Sequence, residues 1–371
     1  MANLLGSEVR LHVIYMGEIN EDKLQRKGIR TYQYDGVLTG NWWTRYIGFT
    51  KFITDVLRYQ DIDIVQNIWM HFALFPLKVA GLIANVPVVA RVAGVPISNA
   101  ETNDPLKWMR NRLGLAIERA SLALADHIQV LSKSLRNTFS RRGISPKRMS
   151  VISQGCDTKA FAPSSSGDPS GEAGYTEDES TSVGCQLLYV GRITPRKGLD
   201  ELIEAFREVV ETAARDVILD LIGEGPSDVV EKYRSKLKQW GVAEKVRLRG
   251  YVKHNRLRRI YQECDIFILP SHREGLPNVM MEAMASGAAC IGTSVGAIPE
   301  LLDDNRGIVV PPRRPDRLAS AILHLIQDCE RTDAMTQRAR DYIVQHHSFC
   351  HVRKDYREMY LRVGNSYDGI I

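Results

Sequence analysis

DIFILPSHREGLPNVMMEAMASG, residues 265–287, reads as a strand, a loop and a helix in succession. The apolar segment DIFILPS, residues 265–271, stands ahead of the loop. Pro277 suits the first helical position, because its missing N–H would have no intrahelical partner there. A helix starting at that point leaves the N–H groups of Gly275, Leu276, Asn278 and Val279 pointing outward, where the macrodipole favours an anion such as a phosphate. Glu282 falls roughly 7 to 8 Å along the axis at about 1.5 Å per residue, a reach that suits the sugar beside a phosphate. Its carboxylate can accept from a ribose diol. Glu274, just before the helix, lies on the other side of the phosphate site and can accept from a second sugar. The two carboxylates would then bracket a nucleotide diphosphate sugar. About one such Glu pair is expected by chance in a chain of ordinary composition, so its meaning depends on its surroundings.

Those surroundings agree. QLLYVGRITPRKG, residues 186–198, places a hydrophobic strand before Gly191, Arg192 and Lys197. A helix is expected from about Gly198, burying Leu199, Leu202, Ile203, Phe206 and Val210. Cations at the carboxyl end of a strand face the crevice in which open α/β sheets bind ligands. A Lys or Arg ~4 Å from a phosphate charge is worth about 4 kcal/mol before desolvation, against about 0.3 to 2 kcal/mol for a helix terminus. Arg192 and Lys197 should therefore dominate anion binding; taken alone they would read equally well as a solvated loop pair.

Further segments follow in order: LDLIGEGP at 219–226, VRLRGYV at 246–252, the strand and Glu pair, and GTSVGAIPELL at 292–302 with Gly296 and Glu300. This ordered set resembles the donor-binding domain of retaining glycosyltransferase family 4, the glycosyl transferases group 1 of the GT-B fold. The resemblance covers residues 183 to 330 closely and 60 to 162 more loosely. It implies two Rossmann-like α/β domains facing across a cleft. It also implies a hexosyl transfer from a nucleotide diphosphate sugar to a hydroxyl acceptor, in glycan, polysaccharide or glycolipid synthesis. By the same resemblance, Arg192 and Lys197 bind the diphosphate and stabilise the leaving group, Glu274 holds the donor hexose and Glu282 the ribose, and backbone from Gly250 to Val252 lies near the base. The acceptor would attack from the leaving group's own face and pass its proton to a donor phosphate oxygen, so no side-chain base is needed. No cofactor and no metal is expected; the nucleotide sugar is substrate.

With 371 residues and 44% hydrophobic content, the chain has room for two domains. Strands alternate with helices from about Arg10 onward. Between Pro163 and Ser182 the pattern stops in a stretch rich in Ser, Gly and acid, which reads as a flexible linker. The expected layout is an acceptor-side domain at 1–162, a linker at 163–182 and a nucleotide-sugar domain at 183–347. A last helix at about 348–371, around DYREMYLRV, is expected to return to the first domain. The amino terminus departs from the family pattern: MANLLGSEVRLHVIYMG reads as a helix end running straight into a strand, so the first domain lacks its initial strand-loop-helix unit and an incomplete chain is expected. In VVARVAGVP, Ala93 precedes Gly94 where the family often has His, and that role cannot be transferred to Ala93. His71 could serve the cleft instead, although a lone His at a strand end is more often structural.

The six cysteines are scattered without close repeats, which favours a reduced, cytoplasmic setting. The longest apolar stretch, residues 68–90, is interrupted by His71, Lys78 and Asn85. A buried strand-helix-strand explains it better than a membrane span, in which a central Lys costs about 2.5 to 3.5 kcal/mol. Residues 101–150 carry ten Lys and Arg against four Asp and Glu. Together with the Trp- and cation-bearing NWWTRYIGFTKF at 41–52, this suggests peripheral contact with an anionic membrane carrying a lipid-linked acceptor. A solvated basic helix beside a packed aromatic one is the competing reading. No nucleic-acid motif accompanies the charge. Asp61-Ile62-Asp63 imitates a metal-binding acid pair but runs into the hydrophobic IVQ, as at a strand entrance. His346, His347, Cys350 and His351 lack the placement a zinc site needs. A nucleotide-sugar epimerase and a non-catalytic nucleotide-sugar binder are the alternatives to a transferase. A dehydrogenase is disfavoured, since no Gly-x-Gly-x-x-Gly follows a strand.

Overall fold

The computed structural model describes residues 10, 12–15, 29–34, 42–68, 74–94, 120, 122–164 and 184–368. His71, most of the linker and the residues before Arg10 lie outside that set. So do the side chains of Trp42 and Trp43 and most of the basic stretch up to Arg119. The chain divides into two compact units, residues 1–153 with 352–371, and residues 154–351.

In the first unit a parallel pair, β1 (His12–Tyr15) and β2 (Arg30–Gln33), stands apart from a four-stranded parallel sheet. That sheet contains β3 (Val65–Asn67), β4 (Val88–Val92), β5 (His127–Val130) and β6 (Met149–Val151), side by side in that order. Within the apolar stretch at 68–90 the described residues form a helix, α2 (Leu74–Ala84), and then β4; the expected first strand is not in it, because β3 ends at Asn67, just before Ile68. Gly81 lets α2 sit down on the following turn, since a Cβ there would lie 2.5 Å from the Val86 carbonyl oxygen. Helix α1 (Trp42–Tyr59) packs on α2 and buries Ile53, Val56 and Leu57. Asp61 has φ +54° in the turn leading to β3. Helix α3 (Lys133–Arg141) starts where Ser132 Oγ accepts from the Leu135 amide, an N-cap that ends β5 cleanly.

A polar seam crosses this sheet. Gln129, fully buried, donates to Tyr356 and to the Ile152 carbonyl and accepts from Gln66. Tyr360 donates to Gln66, and Arg362 to Ser150. Tyr356, Tyr360 and Arg362 all belong to the last helix. Buried amides left without partners would be costly, so this seam fixes the register in which the end of the chain returns to the sheet.

The second unit is built on a six-stranded parallel sheet in the order β12-β11-β10-β7-β8-β9. The strands are β7 (Cys185–Val190), β8 (Val217–Ile222), β9 (Val246–Gly250), β10 (Ile266–Leu269), β11 (Ala289–Thr293) and β12 (Ile308–Val310). Leu187, Leu188, Leu219, Leu221, Phe267, Ile268 and Ile291 are all buried, as apolar runs covered on both faces must be. Helices α4 (Leu199–Thr212), α5 (Ser227–Gln239), α6 (His254–Gln262), α7 (Asn278–Ser286), α8 (Ile298–Leu302), α9 (Pro315–Gln327) and α10 (Cys329–His346) follow, and α11 (Phe349–Asp368) closes the chain.

Three expectations need correction. Pro277 is the N-cap, with extended backbone (φ −79°, ψ 114°), and α7 begins one residue later at Asn278. In α4 it is Val209 that is buried while Val210 is only half covered, because the helix stripe from Leu202 and Phe206 continues one position earlier. The units part after Ser153 rather than at 162. The Cys156 amide donates to the His347 carbonyl, Gln262 donates to the Ala162 carbonyl, and Phe161 packs edge-on against Tyr261, all within the second unit.

Candidate functional site

The order of the second sheet reverses at β7: its chain neighbour β8 lies on one side and β10 on the other. Carboxyl ends at such a switch point splay their loops apart and leave a crevice. The loop after β7 carries Gly191, Arg192 and Lys197, and the loop after β10 carries Ser271 and Glu274.

These loops meet directly. Lys197 Nζ lies 2.6 Å from Glu274 Oε1, with only 18% and 12% of the two side chains exposed. Ser271 Oγ donates to the same carboxylate oxygen at 2.7 Å, and Thr293, from the end of β11, donates to the Ser271 carbonyl. The backbones are equally close. Gly198 (φ +71°) and Gly296 (φ +58°) occupy the left-handed region, where a Cβ would sit 2.0 Å from the Pro270 oxygen and 2.2 Å from the Glu274 oxygen respectively. The His272 amide donates to the Arg196 carbonyl.

Around β7 the same close packing recurs. A Cβ on Gly223 would lie 1.8 Å from the Gly191 carbonyl oxygen, and the Gly223 amide donates to the Gly250 carbonyl at 2.8 Å. The ends of β7, β8 and β9 are thus joined through Gly191, Gly223 and Gly250. Arg192 is exposed, its backbone carbonyl held by the buried Tyr189 hydroxyl at 2.9 Å. Burial, and then the nearby Glu274 charge, push the Tyr189 phenol well up, so it stays a donor.

At the start of α7, the amides of Met280 and Met281 turn back to the Pro277 carbonyl. Those of Gly275, Leu276, Asn278 and Val279 have no backbone acceptor among the described residues. Glu282 forms a second station. Its Oε1 lies 3.0 Å from His254 Nε2, its Oε2 accepts from the Tyr261 hydroxyl at 3.2 Å, and 12% of its side chain is exposed. Phe161 packs edge-on against both His254 and Tyr261. Burial followed by the Glu282 charge raises the Tyr261 phenol far above its usual range, so it too remains a donor. Val252 lies in the short loop between Gly250 and His254.

The structure therefore brings Lys197 and Glu274 into contact, sets Gly191 and Arg192 on the same loop, and joins Gly250 to Gly191 through Gly223. No hydrogen bond links Glu282 to the Lys197–Glu274 pair among the described residues. Sequence reasoning missed Ser271, His254, Tyr261 and Tyr189. A polar His opening α6 directly after β9 is the one signal that could have pointed to them.

Residues 2–160 match the family model described as Glycosyltransferase Family 4, and residues 184–328 the one described as Glycosyl transferases group 1. The alpha-maltose-1-phosphate synthase of Mycolicibacterium smegmatis is 29% identical over 296 residues, 73% of this chain and 74% of that protein. A GDP-mannose-dependent alpha-(1-6)-phosphatidylinositol monomannoside mannosyltransferase of Mycobacterium tuberculosis is 29% identical over 68% of this chain and 66% of its own length. Among solved structures, Anabaena HepE in complex with UDP superposes with a TM-score of 0.73 at 17% identity, covering 91% of this chain and 88% of that one. Likeness at that identity shows the fold, which is GT-B.

Proposed function

We propose, from the premise that this chain belongs to the family-4, group-1 glycosyltransferases, that it moves a hexosyl group from a nucleotide diphosphate sugar to a hydroxyl with retention of anomeric configuration. The observation that carries this reading is the Lys197–Glu274 contact at a sheet switch point, in the loop that leads into the amides starting α7. In the reaction, negative charge builds on the departing diphosphate while the sugar becomes oxocarbenium-like, so stabilising the leaving group is the main task. Arg192, Lys197 and the amides of Gly275, Leu276, Asn278 and Val279 supply that stabilisation. Glu274, already fixed by Ser271, accepts from the hexose hydroxyls, and Glu282, oriented by Tyr261 and His254, accepts from the ribose. The backbone at Gly250 and Val252 flanks the base.

The relatives support nucleotide sugars as donors and lend nothing to an epimerase or a non-catalytic binder. One relative is named as GDP-mannose-dependent, and HepE was crystallised with UDP-glucose. The acceptor belongs to glycan or glycolipid synthesis in this reading. No described helix is long and apolar enough to cross a membrane. The six cations between Lys133 and Arg148, with no acid among them, support peripheral contact with the anionic inner face of the cytoplasmic membrane.

The test is a thermal-shift screen with UDP-, GDP- and ADP-sugars followed by assay of nucleoside diphosphate release, since a ligand of the folded form raises its midpoint by mass action. A chain that neither binds nor turns over any of them refutes the reading. Flotation with vesicles with and without anionic lipid checks the membrane contact separately, and absence of binding in both removes it.

A further inference from the structure

Two side chains at the edge of the site have no part in the reaction as described. Glu201, in the first turn of α4, places Oε1 2.9 Å from His272 Nε2, and each side chain is less than one fifth exposed. The other oxygen of Glu201 is buried with no hydrogen-bond partner among the described residues. Among the described residues, the hydrogen bond that compensates the burial of this carboxylate is the one to the imidazole.

The position of His272 gives the bond its consequence. His272 follows Ser271, which donates to Glu274, and stands two residues before Glu274 itself. Its backbone amide donates to the carbonyl of Arg196, the residue next to Lys197. Glu201 lies four residues after Lys197 in the helix that begins beyond Gly198. The loop bearing the cation and the loop bearing the hexose-binding carboxylate are thus tied at three levels: backbone at His272–Arg196, side chain at His272–Glu201, and the functional pair itself. Gly198, pressed against the Pro270 carbonyl, is the pivot between them.

We infer that Glu201 and His272 form a positioning pair that holds Lys197 and Glu274 at their transition-state separation, coupling the two loops across the sheet switch point. This rests on the transferase reading above. Neither residue touches the donor in this scheme. Both act through the placement of Lys197 and Glu274, so their loss falls on turnover more than on donor affinity. A displacement of about 1 Å in a catalytic group costs up to roughly a hundredfold.

The experiment uses the full chain and whichever of UDP-glucose, GDP-mannose or ADP-glucose the wild type turns over. His272→Phe and Glu201→Leu are each expected to lower kcat roughly ten- to a hundredfold, with donor Kd within about twofold of wild type. Glu201→Gln keeps an oxygen that accepts from the imidazole and should retain kcat within about threefold. The double variant His272→Phe/Glu201→Leu should be no worse than either single one, because residues acting as a unit are not additive. Additive losses, an equal effect of Glu201→Gln and Glu201→Leu, or losses confined to Kd would each overturn the pairing. If the apolar variants fail to fold, His272→Gln, which keeps a donor, is compared with His272→Ala, and equal kcat in those two overturns it as well. A wild type that turns over none of the donors sinks the transferase reading and this one with it; normal wild-type turnover with additive variants sinks this one alone.

Discussion

Lys197 and Glu274, 77 residues apart in the chain, reach their 2.6 Å contact from the loops that follow two hydrogen-bonded strands, β7 and β10. Removing one member leaves the other charge in a largely covered place without its partner. Lys197→Ala therefore takes away the cation that the proposed reaction assigns to the leaving group and also frees Glu274 to move. Arg192 is exposed on the same loop. Each alanine variant is expected to lower kcat about a hundredfold or more, the scale for losing one preorganised charge-stabilising group. Only Lys197→Ala should also lower the melting temperature. Initial rates of nucleoside diphosphate release beside a thermal melt measure both, and unchanged turnover in both variants would refute the assigned roles.

Gly296 has φ +58°, and a Cβ there would lie 2.2 Å from the Glu274 carbonyl oxygen. The Ala297 amide meanwhile donates to the Gly275 carbonyl at 2.9 Å. Gly296→Ala must push the Glu274 backbone away besides straining its own, so stability and donor binding should fall together. A drop of several degrees in melting point is expected, with donor affinity weaker by about tenfold or more. A variant that melts and binds like the wild type would show that the loop yields freely.

How much of this was readable in advance follows from the range of each interaction. The βα units were legible because their signals are local: the buried run Ile266 to Leu269, the stripe from Leu199 to Phe206, the glycines at the ends of β7, β8 and β9. Arg192, Lys197, Glu274 and Glu282 were legible because their spacing to a strand end or helix start is fixed by backbone geometry. The partners that orient them were not. Tyr261 and His254 come to Glu282 from 21 and 28 residues away, and Glu201 to His272 from 71. Nothing in the spacing of a helix such as HNRLRRIYQ says which side chain will face a carboxylate on another helix. The misplaced boundary at 162 has the same origin, since bonds of Cys156 and Ala162 to His347 and Gln262 tie that segment to the second unit.

Tyr261 tests the second station with little disturbance. Its ring is fully buried and packs against Phe161 and Phe267, while its hydroxyl donates to Glu282. Tyr261→Phe keeps the packing and removes a hydrogen bond to a charged group, worth about 1.5 to 3 kcal/mol. Donor Kd should rise roughly tenfold or more with kcat little changed, because the ribose is held equally in ground and transition states. Isothermal titration with the preferred nucleotide sugar decides it; a fall in kcat at constant Kd would place Glu282 in the chemical step instead.

The thiols should separate sharply in reactivity. Cys350 is exposed, whereas Cys156, Cys185, Cys264 and Cys290 are buried. Burial pushes the thiols of Cys156 and Cys185 up to about 12, with the charges of Glu282 and Asp265 respectively adding to it. A thiol held protonated and covered does not attack a disulfide reagent. Among these five, Cys350 alone is expected to react within minutes in native buffer at pH 8, the others only on unfolding. Peptide mapping after timed labelling checks this, and rapid modification of Cys156 would mean that its surroundings open readily.

His127 gives the first unit an acid limit. It sits on β5 within 2.8 Å of Ser150 Oγ, with the Arg362 guanidinium close by. Burial chiefly, then Arg362 and Arg148, lower its pKa from 6.5 to about 4. The unfolded chain therefore binds a proton before the folded one does. The stability due to neutral His127 is complete above about pH 6.5, is lost progressively as the pH falls toward 4, and changes no further below that. Carboxylates also titrate in the lower part of this window, so the informative quantity is the difference from His127→Gln, which cannot titrate and can still bond to Ser150. Urea midpoints at pH 7, 6, 5 and 4.5 should fall more steeply for the wild type than for the variant. Parallel slopes would mean that His127 takes up its proton in the folded state as easily as in the unfolded one, and that Arg362 moves aside to allow it.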